Sequence, residues 1–157
     1  RDDGTIDFDC LSQGLAALNA NLRTIFNRLR AAAPNVQIIA VNYYDPFLAD
    51  WLTGPAGRDL AHLSVALVAT LNAFIATAAT AVGGAIADVF TEFQTTNFTI
   101  ITVPGLGRVP TNVAIICRLT WMCVLQDVHP NDAGYALIGA TVSAVVMPSA
   151  APAGSRT

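Results

Sequence analysis

The run Val36-Gln37-Ile38-Ile39-Ala40-Val41-Asn42-Tyr43-Tyr44 constrains this chain most. It is nearly continuous in apolar, β-branched residues and shows no alternation of polar and apolar positions. Such a run suits a strand buried on both faces, as in a parallel sheet covered by helices. Asp45-Pro46 marks the turn off its carboxyl end. The flanks supply the helices. Leu11, Leu15, Leu18, Leu22, Ile25 and Leu29 recur at steps of four and three, which places them on one helical face. Asp9 is a candidate cap for this helix, and Pro34-Asn35 ends it. After a Gly/Pro-rich connection at Gly54–Gly57, Leu60, Leu63, Leu67, Leu71 and Phe74 form a second stripe, stopped by Gly83-Gly84.

Residues 85–90 read as a second short strand, 91–112 as a long loop, and 113–117 as a helical turn. Asn131 caps a final helix over 132–146. The segment 148–157 is rich in Ala, Pro, Ser and Gly and reads as a flexible tail behind a single folded unit, 1–147. Alternating helices and strands imply a layered α/β fold with a parallel sheet. Only two strands are convincing, whereas a stable sheet usually has three or more. The sheet is therefore expected to be incomplete on its amino-terminal side.

Composition narrows the function classes. The chain is 54% hydrophobic and 12% charged, against about 25% charged in ordinary domains. That balance implies buried strands, a missing partner surface, or both. The apolar stretches around 60–82 and 133–147 are interrupted by His62, Asn72, Ser143 and several Thr. They read as core helices, and no transmembrane segment is expected. No signal peptide is recognisable, and a chain that starts at Arg1 is expected to be a processed or trimmed product. The net charge is −3, and the eight basic residues, all Arg, are scattered. No basic stripe exists for nucleic acid to follow. No CxxC pair occurs, and His62 lies far from His129, so neither a metal nor a cofactor is expected. Cys117 and Cys123 are spaced so that they can close a small disulfide loop if the segment turns. Cys10 has no obvious partner, which leaves a free thiol, an intermolecular bond, or a partner elsewhere.

The chemistry concentrates in Asp127-Val128-His129-Pro130-Asn131, followed by Gly134-Tyr135. An acid two residues before a His, on a loop that opens a helix, can orient and stabilise the imidazole. Such a His takes a proton from a serine hydroxyl and returns it to the leaving group. Pro130 stiffens the loop, Gly134 permits close packing of the helix, and Tyr135 is expected to be a buried aromatic. An N-capped helix with an incidental His is the bland alternative, and the full string argues against it.

The string DVHPNDAGY resembles the last conserved block of the SGNH/GDSL hydrolases, a family of esterases and lipases. LNANLRTIFNRLRAAAPNVQIIAVNYYDPF is similar to the helix and strand that follow the family's Gly-x-Asn-Asp block. AIADVF resembles a later strand, and NVAIICRLTWMC resembles the disulfide-bearing segment of secreted bacterial members. The resemblance covers roughly residues 8–146. It implies a flavodoxin-like three-layer α/β/α sandwich, a Cys117–Cys123 disulfide, a secreted or extracellular bacterial protein, and a small ester or lipid substrate. His129 would be the general base and Asp127 its orienting acid. The family's Gly-Asp-Ser and Gly-x-Asn-Asp blocks are missing from this sequence. The nucleophilic Ser is therefore expected upstream, as is the partner of Cys10.

None of the serines present is a good substitute. Ser12 lies in the first turns of a helix, Ser64 and Ser143 lie within helices, and Ser149 and Ser155 lie in the tail. Asn42, Tyr43, Tyr44 and Asp45 end a strand at the edge where α/β folds bind ligands, which makes them candidate substrate-binding residues. Trp51, Trp121 and Met122 are expected to pack in the core, His62 to be a partly exposed helix residue, and Asp88 to cap or pair locally. A non-catalytic alternative is an assembly module. Its open sheet edge would take a second copy of the chain or a complementing amino-terminal segment.

Overall fold

Two short strands pair in parallel, β1 (Ile39–Val41) and β2 (Ala85–Ala87), in the register Ile39↔Ala85, Ala40↔Ile86 and Val41↔Ala87. They belong to a computed structural model that describes residues 7–146. The tail expected from Pro148 lies outside the described residues. β1 is shorter than its apolar run because side chains take over the backbone at its end. The Asn72 amide accepts from the Tyr43 N–H at 2.9 Å and donates to the Tyr43 carbonyl at 2.8 Å. These bonds take the place of a strand partner.

Helices cover the pair on both faces. Ala40 and Ile86 pack with Phe26 of α1 (Phe8–Ala32) and with Ile75, Ala78 and Ala79 of α2 (Pro55–Thr80). On the other face, Val41 shares a cavity wall with Ile138 of α6 (Asp132–Val145). The cap of α1 is Asp7, whose side chain accepts from the Cys10 N–H at 3.0 Å; Asp9 sits in the first turn instead. Arg30 closes the helix end by donating to the carbonyls of Ala33, Pro34, Val36 and Val82.

The buried face of α2 is Ala61, Ser64, Asn72, Ile75, Ala78 and Ala79 rather than the expected leucine stripe, and Leu60 is exposed. Close approach explains the shift. A Cβ at Gly57 would lie 1.9 Å from the Asp50 carbonyl oxygen. The helix therefore lies against the preceding 3-10 helix, Pro46–Thr53, through small residues. By length and composition alone α2 is also apolar enough to cross a membrane.

The expected loop over 91–112 contains more structure than its punctuation suggested. A short α3 (Val89–Glu92) is followed by an antiparallel hairpin, β3 (Ile100–Val103) and β4 (Gly107–Pro110). Gly105 and Gly107 adopt positive φ, which the tight turn requires. The helical turn at 113–117 is a full helix, α4 (Thr111–Leu119), followed by α5 (Met122–Leu125). Leu48, Val89, Phe93, Val113, Ile116 and Leu119 form the main core, and Leu137 and Ile138 pack against it. The architecture is thus a helix-rich α/β fold with a short parallel sheet.

Candidate active site

The acid–base loop runs from α5 to α6, and both of its ends are fixed. The Trp121 N–H donates to the His129 carbonyl at 3.0 Å, and the Asn131 N–H donates to the Leu119 carbonyl at 2.9 Å. Thr120 and Pro130 form an isolated antiparallel bridge between these two bonds. The Asn131 side chain works in two directions. Its Oδ1 accepts from the Gly134 N–H at 3.1 Å, which caps α6, and its Nδ2 donates to the Arg118 carbonyl at 2.8 Å. A disulfide joins Cys117 to Cys123 across the α4–α5 turn, and Gln126 ends α5 in the left-handed region. Cys10 is a free, exposed thiol.

Within this frame, Asp127 Oδ1 accepts from the His129 backbone N–H at 3.0 Å and meets His129 Nδ1 at 2.5 Å. The backbone bond and then the side-chain bond hold the Asp127 carboxyl below its ordinary value. A carboxylate on Nδ1 favours the tautomer with the proton there. Nε2 is then the ring nitrogen free to accept a proton. The His129 side chain is exposed and lines a cavity of about 410 Å³.

The cavity walls are mostly apolar: Val41, Pro46, Val89, Val128 and Ile138, with Tyr135. Three of the four strand-end candidates reach it, namely Asn42, Tyr43 and Tyr44. Asp45 does not. It is fully buried, its Oδ2 accepts from Ser64 Oγ at 2.6 Å, and its Oδ1 accepts from the Phe47 N–H at 3.0 Å. Burial raises the Asp45 pKa, and those hydrogen bonds only partly oppose the shift. The Asn42 side chain is also engaged, donating to Asp88 at 2.7 Å and accepting from the Phe90 N–H at 3.0 Å. Asp88 caps α3 through the Thr91 N–H.

Tyr135 is the clearest departure from expectation, since it is exposed on the cavity rim rather than buried. It sits in the first turn of α6, one helical turn before Ile138. The capping motif placed it on that turn, but its direction depends on how α6 packs. Trp51 and Met122 pack against the core as expected, whereas Trp121 is exposed. His62 is exposed, stacked on Phe98 at 4.2 Å, and takes no part in the cavity. Among the described residues no Ser, Thr or Cys lines the cavity. Ser64 is buried against Asp45, Ser12 donates to the Asp9 carbonyl, and Ser143 donates to the Gly139 carbonyl. Ser149 and Ser155 lie outside the described residues.

The family model described as GDSL-like Lipase/Acylhydrolase matches residues 4–137. No curated protein and no solved structure matches the chain. The matched span takes in α1, the Asp-x-His loop and the first turns of α6, so the Asp127–His129 pair falls inside it. On that match the chain belongs to the GDSL-like lipase/acylhydrolase family.

Proposed function

We propose that this chain carries the acid–base half of a serine-type ester hydrolase, with His129 as general base and Asp127 as its orienting acid. The observation that carries the reading is the Asp127–His129 pair, which leaves Nε2 free beside an apolar cavity. The nucleophilic serine comes from a polypeptide segment other than residues 7–146. In the reaction, Nε2 takes the serine Oγ proton as Oγ attacks the ester carbonyl. The same proton then passes to the departing alkoxide, leaving an acyl-enzyme that water cleaves by the reverse sequence. The apolar walls suit the acyl part of a small ester or lipid, with Asn42, Tyr43 and Tyr44 on the substrate side. The complete domain would be a flavodoxin-like three-layer sandwich. A disulfide fits an oxidising, extracellular setting, in keeping with a secreted bacterial protein.

Labelling with a fluorophosphonate tests the assignment. The chain alone stays unlabelled. Supplied with a segment that bears a Gly-Asp-Ser block, the assembly is labelled on that serine, and His129→Ala slows labelling. A stoichiometric adduct on Ser12, Ser64 or Ser143 of the chain alone would place the nucleophile inside it and sink the proposal.

One observation favours a second reading as an assembly module. β1 pairs only with β2 among the described residues, and Val41 is exposed at its end. An unpaired strand edge invites another strand.

A further inference from the structure

The strand-end segment 42–45 is tied to the protein at three points. Asn42 bonds to Asp88 and to the Phe90 N–H, both backbone groups of Tyr43 bond to Asn72, and Asp45 bonds to Ser64 and the Phe47 N–H. Tyr44 stands in the middle of this fixed segment. Its ring stacks on Phe93, which is fully buried, with centroids 4.4 Å apart and an interplanar angle of 11°. Its hydroxyl donates to the Val128 carbonyl at 2.5 Å. Val128 is the residue between Asp127 and His129.

The other backbone anchors of the loop come from one direction, the α4–α5 turn, and hold the His129 carbonyl and Asn131. The Tyr44 hydroxyl is the bond that reaches the loop from the strand side. We infer that Tyr44 is a positioning residue that holds the Asp127–His129 pair in its working geometry by fixing the Val128 carbonyl to the end of β1. The inference rests on the hydrolase reading for its functional meaning, since the Tyr44 hydroxyl acts through the Asp127–His129 pair and not on the substrate. It also separates two roles at one position, because the ring forms cavity wall while the hydroxyl is committed to the loop. The hydroxyl is suited to permanent donation. Burial, followed by the charges of Tyr135 and Asp127, pushes its pKa up to about 12, so it keeps its proton across the working range.

Tyr44→Phe removes the donor and keeps the ring stacked on Phe93. Two readouts on the chain as it stands would test the role. The first is hydrogen exchange of the His129 amide, which donates to Asp127. The second is the titration of the Asp127 carboxyl followed by carbon NMR. In Tyr44→Phe the His129 amide exchanges roughly tenfold faster, the expected scale for losing one hydrogen bond. The Asp127 titration moves upward toward the ordinary carboxylate value, while the Ile75 amide in α2 is unchanged. If both loop readouts match the wild type, Tyr44 does not position the pair. If protection falls equally at Ile75, the hydroxyl supports the fold in general, and the inference is likewise overturned. Neither readout needs a serine or a substrate. A failure here therefore leaves the hydrolase reading to its own labelling test.

Discussion

At Gly134 a single methyl group would collide with α4 and with the loop that bears Asp127 and His129. A Cβ there would lie 2.1 Å from the Leu119 carbonyl oxygen and 2.8 Å from Pro130 Cβ. Gly134→Ala must therefore push α6 away from α4. We expect a loss of about 1–3 kcal/mol, typical of overpacking, read from the denaturant midpoint. The Asp127 and His129 resonances should shift with it. Asp45 makes a different prediction. Its carboxyl is raised by burial, so the folded state holds its proton to higher pH than the unfolded chain. The cost of its charge is fully present above the folded value and disappears as pH falls below the unfolded value near 3.8. Asp45→Asn should match or exceed wild-type stability at neutral pH, and its advantage should shrink on acidification. Asp45→Ala leaves the Phe47 N–H without its acceptor and Ser64 Oγ with only the Ala61 carbonyl at 3.1 Å, and should destabilise by about 1–3 kcal/mol. Denaturation midpoints at two pH values check both. The Asp-x-His pair was legible in the sequence because both partners lie on one short loop. The burial of Asp45 was not, since it depends on Ser64 and α2.

Among the elements, α4, α5 and the acid–base loop behave as one unit. The Cys117–Cys123 disulfide closes the turn that presents Trp121, and the Trp121 N–H holds the His129 carbonyl. Replacing both cysteines with serine should cost about 2 kcal/mol by the loop-entropy model. It should also speed exchange of the Trp121 amide more than that of Ile75. Equal exchange at both sites would separate the disulfide from the loop. The sequence announced α1, α2 and α6 through their stripes and caps. It hid the β3–β4 hairpin, because Ile100-Ile101-Thr102-Val103 is short and Pro104-Gly105 reads equally well as loop. The buried face of α2 was also hidden. A leucine stripe marks where apolar side chains fall, whereas contact with the 3-10 helix selects the small residues Gly57, Ala61 and Ser64.

For the molecule as a whole, two strands carry helices on both faces, and β1 has a free edge among the described residues. The two runs read as strands in the sequence are the two that pair in parallel, while the β3–β4 hairpin lay outside that reading. A free edge beside exposed Val41 predicts association. Light scattering should find species heavier than 16.4 kDa, and Val41→Lys should shift them toward monomer. A clean monomer at all concentrations would count against the assembly reading. If Asp127 and His129 form the acid–base unit of an ester hydrolase, removing the imidazole must stop turnover. The chain, supplied with a segment that bears a Gly-Asp-Ser block, is assayed for p-nitrophenyl ester hydrolysis as wild type and as His129→Ala. In His129→Ala, kcat/KM should fall on the order of a thousandfold or more while the fold is unchanged. Full activity in His129→Ala would remove His129 from the role of general base.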